Sequence, residues 1–154
     1  MKYNVKRYKF DKQYICDGEL HIIDEGQSTT LKYFDNEISI EVTELYHPLA
    51  SLRKLRNQLE NDYESIIGIQ GCRIDVTYRF TGGYGQYIME QGKQATILVD
   101  MFEPTHEIDK LCKEAEQEQA YDNWFDDIWY NTMDIEKLKK IEQEMKDKFE
   151  SPDK

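Results

Sequence analysis

Residues 37–59 read EISIEVTELYHPLASLRKLRNQL, and the hydrophobic period changes in the middle of that stretch. Ile38, Ile40 and Val42 alternate with Ser39, Glu41 and Thr43. Successive side chains of a strand point to opposite faces, so this half predicts an antiparallel strand over residues 37–45, buried on one face and wet on the other. Leu49, Leu52, Leu55 and Leu59 follow at spacings of three, three and four, which is one face of a helix. His47-Pro48 divides the two halves. Proline cannot donate to a ladder but suits the first turn of a helix, so the helix is expected over about residues 48–61.

On the N-terminal side, residues 3–10 and 14–24 are rich in aromatic and β-branched side chains and read as strands, with Asp17-Gly18 as a bulge or turn. Residues 30–34 form a further strand that ends at the turn signal Asp35-Asn36. On the C-terminal side, Cys72, Ile74, Val76, Tyr78 and Phe80 alternate with polar residues, and residues 72–81 read as the clearest strand of the chain. Thr81-Gly82-Gly83-Tyr84-Gly85 is a turn. Residues 87–90 and 94–102 continue the sheet around Gln91-Gly92-Lys93.

At residue 105 the character changes, and no glycine or arginine occurs from there on. Thr105 suits an N-cap, with Ile108, Leu111, Cys112 and Ala115 as an apolar stripe behind it. The segment YDNWFDDIWY occupies residues 121–130. A last helix carries Ile135, Leu138, Ile141, Met145 and Phe149 on one face behind a cap at Asp134, and residues 151–154 form a frayed tail. Strands, one helix, strands and then helices predict a single α+β domain over residues 1–154. Residues 1–104 are mainly β, 105–150 are helical, and the helical part covers an antiparallel sheet.

The 154-residue length supports a core without a metal or disulfide, and the odd count of three cysteines argues against a disulfide framework. No cofactor is expected. No apolar run approaches a membrane span. The basic N-terminus MKYNVKRYKF has no apolar stretch behind it, so no secretory leader is expected and a reducing cytoplasm fits. The glycine cluster has neither dinucleotide nor P-loop spacing. His21, His47 and His106 share no spacing that would converge on a metal, and no Gly-x-Ser-x-Gly elbow is present. Cys72 and Cys112 lie on apolar faces and read as core residues. No catalytic residue is assigned.

Charge is the informative property. The chain carries a net charge of −11, which disfavours nucleic acid and anionic membranes and attracts basic proteins. Residues 105–154 hold 15 acidic and 8 basic side chains, and residues 114–127 hold six acids and no base. Tyr121, Trp124, Phe125, Trp129 and Tyr130 overlap that acidic run. Tyrosine and tryptophan dominate binding hot spots, and acids around them steer a basic partner. The candidate partner-binding residues are therefore Glu114, Glu116, Glu118, Tyr121, Asp122, Trp124, Asp126, Asp127, Trp129 and Tyr130. The competing reading packs the aromatic face on the sheet and leaves the acids as a solvated back.

The expected function is that of a non-catalytic inhibitor, an immunity or antitoxin protein neutralising a basic toxin such as a nuclease. The alternatives are a phage- or host-derived inhibitor of a nucleic-acid-handling complex, a homodimeric scaffold that hides its aromatic helix, and an enzyme with a cleft near Gly82–Gly85.

Overall fold

The structure, a computed structural model, describes residues 1–78, 83–132, 140, 142–144 and 146–147, leaving aside the side chains of residues 129–132. Strands β1 (Lys2–Lys9), β2 (Tyr14–Asp24), β3 (Ser28–Asp35) and β4 (Ser39–Leu45) form an antiparallel meander. Helix α1 (Pro48–Tyr63) follows, and β5 (Ser65–Ile67) then pairs with the far side of β1. The sheet order is β4-β3-β2-β1-β5, so α1 carries the chain from one edge of the sheet to the other.

The period change at His47-Pro48 is realised as expected. Pro48 opens α1, and its four leucines are buried against Leu20, Ile22, Leu31, Tyr33, Ile40 and Val42. Each fully buried leucine of this kind contributes roughly 1.5–3 kcal/mol of transfer free energy. Ser51 donates to the Thr29 carbonyl at 2.6 Å, which satisfies the one hydroxyl on this apolar face. Glu64 ends the helix in the left-handed conformation and returns its N–H to the Leu59 carbonyl.

Asp17-Gly18 is not a turn. Both residues lie inside β2, paired with Lys6 and Val5. Glycine is needed there because a Cβ at residue 18 would stand 2.8 Å from the Tyr33 hydroxyl. The irregularity falls instead between Arg7 and Tyr8, where Ile15 is the extra residue opposite them. That bulge buries both Arg7 and Tyr8, although they are neighbours in sequence.

The expected strand over residues 72–81 is overturned. Gln70–Cys72 is a 3-10 turn, Arg73 bridges to Leu111, and Val76 bridges to Ile88. The alternation of residue types is real, but the backbone changes partner half-way. Ile74 donates to the Lys110 carbonyl, and Thr77 donates to the Tyr87 carbonyl. A turn at Ile74 and Asp75 makes the change, so Arg73 is buried and Ile74 is 39% exposed. Residues 79–82 lie outside the described residues.

The later strands exist but do not join the main sheet. β6 (Gly85–Glu90) and β7 (Lys93–Asp100) form a separate two-stranded sheet. The helix expected from Thr105 is also corrected. Thr105 Oγ1 accepts the Glu107 N–H, a single 3-10 turn covers Ile108–Lys110, and Leu111 is extended. The backbone groups that a helix would use internally go to Cys72 and Ile74 instead. Helix α2 (Glu114–Thr132) begins later and packs against α1 and β6. Asp134 and the apolar stripe Ile135, Leu138, Ile141, Met145 and Phe149 lie outside the described residues.

Candidate functional site

The start of α2 is fixed by buried polar contacts. Arg56 of α1 is fully enclosed and donates to the Gly71 carbonyl at 3.2 Å, to the Cys112 carbonyl at 3.1 Å and to Gln117 Oε1. Gln117 in turn donates to the Val76 carbonyl at 2.9 Å. Glu114 accepts the Tyr78 hydroxyl proton and offers its own N–H to Glu60 at 3.1 Å. Burial and the Glu114 carboxylate together push the Tyr78 hydroxyl up to about 12. Glu116 reaches back to the Lys113 N–H at 3.2 Å, half of a capping box. Glu114 and Glu116, both expected at a partner surface, therefore hold the helix N-terminus in place.

The next turns divide the aromatic residues. Trp124 is half-buried, and its indole N–H points at the β6–β7 turn, 2.9 Å from the Glu90 carbonyl and 3.1 Å from that of Lys93. It ties α2 to the hairpin. Tyr121 is half-buried, with ring centroids 6.0 Å from Trp124 and 6.1 Å from Phe125. Phe125 is 46% exposed. Trp129 and Tyr130 belong to the backbone of α2, and their side chains lie outside the described residues.

The remaining acids are free. Glu118, Asp122, Asp126 and Asp127 are exposed, and among the described residues they make no ion pair. With Glu114, three of them form a ladder at four-residue spacing, 114–118–122–126. Like charges at that spacing face each other on a helix and cost it roughly 0.2–0.5 kcal/mol per pair. Phe125 lies beside this ladder, and Asp127 lies on the opposite flank.

Several concave features border this helix or lie away from it. A recess of about 350 Å³ between α2 and β6 is lined by Ile74, Met89, Ala120, Asn123, Trp124 and Asp127 among others. A wider groove of about 500 Å³ crosses the outer face of the main sheet at Asn4, Lys6, Glu19 and Phe34. That groove is an open solvent face; Glu19 in its lining pairs with Lys2 at 2.7 Å, and the Lys6 ammonium lies over the Tyr14 ring at 5.8 Å.

The most perturbed carboxyl belongs to a structural lock. Asp35 accepts Arg7 Nε at 2.8 Å, the Tyr33 hydroxyl at 2.6 Å and the N–H groups of Glu37 and Ile38. Burial works against its charged form, but these donors outweigh burial and hold it well below the usual carboxylate range. Cys72 and Cys112 are buried, and desolvation pushes their thiols up to about 11 and about 12, so both stay protonated. Among the described residues no three His, Cys, Asp or Glu side chains are placed to hold a metal. No described helix is long and apolar enough to cross a membrane.

Two exposed apolar features escaped the sequence reading. β7 presents Ile97 and Leu98, 51% and 60% exposed, on opposite faces. Tyr46 follows β4 with a φ of 79° and is almost fully exposed. The signal for β7 was present in the apolar run Ile97–Val99, which reads equally as a buried strand. No protein-family model, curated protein or solved structure matches this chain.

Proposed function

We propose that this chain is a non-catalytic inhibitor that binds a basic protein, acting as an immunity or antitoxin protein towards a cationic toxin such as a nuclease. The observation that carries the reading is the row of exposed acids Glu118, Asp122 and Asp126 on α2, which make no ion pair among the described residues, beside the exposed Phe125. These three acids repel one another along the helix, whereas an opposing cationic surface would turn the same repulsion into attraction. A nuclease must hold phosphates with cationic side chains, and a row of carboxylates on a helix presents the charge that such a site accepts. A phage- or host-derived inhibitor of a nucleic-acid-handling complex would use the same chemistry.

The test begins with capture from the native host on the immobilised chain, eluted by a salt gradient. Captured proteins are then assayed for nuclease activity or toxicity with the chain added back. The expected result is a basic protein that elutes late and is silenced stoichiometrically. A chain with Glu118→Gln, Asp122→Asn, Asp126→Asn and Asp127→Asn is expected to lose capture at physiological salt. Equal capture by that variant, or a captured protein whose activity is unaffected, counts against the reading.

A homodimeric scaffold is favoured by one observation, the exposed Ile97 and Leu98 on β7 at the edge of the small sheet. Mass measurement in solution tests it, since Leu98→Lys would convert a dimer to a monomer and leave a monomer unchanged.

A further inference from the structure

We propose that the recess between α2 and the β6–β7 hairpin receives an arginine side chain of the basic partner. The inference rests on the inhibitor reading and adds a specific anchor point to it. The recess holds about 350 Å³, and Ile74, Met89, Ala120 and the Trp124 ring supply its apolar wall. Such a wall suits the three-carbon stem of arginine, which long cationic side chains bury while keeping the head group hydrated or paired. The Trp124 ring is held in place by its indole N–H, which bonds the Glu90 and Lys93 carbonyls. A ring already fixed in place loses little freedom when a cation stacks on it, and tryptophan is the best aromatic platform for a guanidinium.

The polar part of the lining decides the charge of the occupant. Asp75 is already satisfied, taking Arg73 through two nitrogens at 2.8 Å and 2.6 Å and Lys110 at 3.3 Å. Asp127 is exposed and has no ion-pair partner among the described residues, so it is the available counter-charge. Gln91 adds an amide oxygen, and Asn123 Oδ1, which already accepts the Gln119 amide at 3.0 Å, has a second lone pair. A guanidinium has five donors in a planar fork and can address a carboxylate and amide oxygens while lying flat on the indole, which a lysine ammonium cannot do. The helix around the recess carries six acids and no base over residues 114–127, so the approach of a cation is favoured from outside.

The test uses the full-length ¹⁵N-labelled chain and three small probes, the N-acetyl amides of arginine, lysine and norleucine. The signals are the Trp124 indole N–H, assigned by its loss in Trp124→Phe, and the side-chain amides of Asn123 and Gln91. The expected result is saturable millimolar binding of the arginine probe, about threefold weaker binding of lysine, and no response to norleucine. Ala120→Leu, which fills the recess, and Asp127→Asn, an exposed change that leaves folding intact, should each weaken the arginine response at least about threefold. Four results would overturn the proposal: no saturable response, an equal response to norleucine, shifts spread along Glu118, Asp122 and Asp126 instead of the recess, or unchanged binding in both variants. Retained capture of a host protein by a chain with no arginine response would sink the pocket and leave the inhibitor reading. An intact arginine response without any inhibited partner would do the reverse.

Discussion

Where the five-stranded sheet meets α1, the apolar side chains are enclosed, and several acids of the sheet have cationic partners. Glu19 pairs with Lys2, Glu41 with Lys32 and Glu44 with Lys54, while Asp35 and Glu37 share Arg7. The leucines of α1 are enclosed. On α2 and the small hairpin the pattern reverses. Four acids of α2 make no ion pair among the described residues, and Phe125, Ile97 and Leu98 face solvent. In the first region the paired charges and the enclosed leucines have a folding role, although Tyr14 and Leu45 are exposed there too. In the second, the exposed acids Glu118, Asp122, Asp126 and Asp127 have no such partner among the described residues, and the four-residue spacing of the first three works against the helix that carries them. That contrast is what points to a partner.

The contrast breaks most directly in paired truncations. Leu55→Ala removes a side chain with no solvent exposure and is expected to cost about 2–5 kcal/mol, read as a lower denaturant midpoint. Leu98→Ala on β7 is expected to move the midpoint by no more than about 0.5 kcal/mol. Comparable losses at both positions would show that the hairpin is as much core as the main sheet, and the distinction between the regions would fail.

Asp35 sharpens the electrostatic half of the comparison. Its folded value lies below the ordinary Asp value of about 4, so its contribution is present above that pH and is lost as pH falls through the folded value. Asp35→Asn leaves a buried Arg7 with only the exposed Glu37, and a cost of about 2–3 kcal/mol at pH 7 is expected. The gap between wild type and variant should narrow progressively below about pH 4. A gap independent of pH would mean that packing, not charge, accounts for the loss.

Trp124 stands on the border between the regions. Trp124→Phe keeps most of the ring and removes one N–H shared by two carbonyls, so a loss of about 1 kcal/mol is expected. Amide hydrogen exchange should rise in β6 and β7 before it rises in β1–β4. Uniform acceleration across the chain would place Trp124 in the common core.

The fold was legible where one period coincided with one partner. β4 and α1 were read from Ile38 to Leu59 because the strand stays in one ladder and the helix on one face. β2 was read to the residue, from Tyr14 to Asp24. Residues 72–78 were misread because alternation reports which way side chains point and not which strand is alongside; the chain pairs first with Leu111 and then with Ile88. β5 went unseen because three residues are too few to show a period, although all three are buried. At the candidate site, composition located the acidic aromatic segment but could not divide it. Glu114 and Glu116 have contacts with Tyr78, Lys113 and Glu60, all distant in sequence or specific to a cap, and only the folded arrangement separates them from Glu118, Asp122, Asp126 and Asp127.

The smallest expected effect bears most directly on function. Neutralising Asp122 and Asp126 to Asn removes like-charge contacts at four-residue spacing with Glu118 and with each other. Folding stability should rise, by a few tenths of a kcal/mol at low salt, because the repulsion disappears and no ion pair is lost. The gain should shrink as ionic strength rises, since exposed charges are screened beyond a Debye length of about 10 Å at 0.1 M. The same variant should associate more slowly with a basic partner while dissociating at nearly the wild-type rate, because exposed charges steer encounter more than they hold the complex. Urea melts at two salt concentrations measure the first effect, and stopped-flow or surface binding measures the second. If Asn at these positions destabilised the chain, the acids would have a folding role after all, and the ladder would lose its value as a sign of a partner. A gain in stability coupled to a slower on-rate is the signature of charge kept at the expense of the fold.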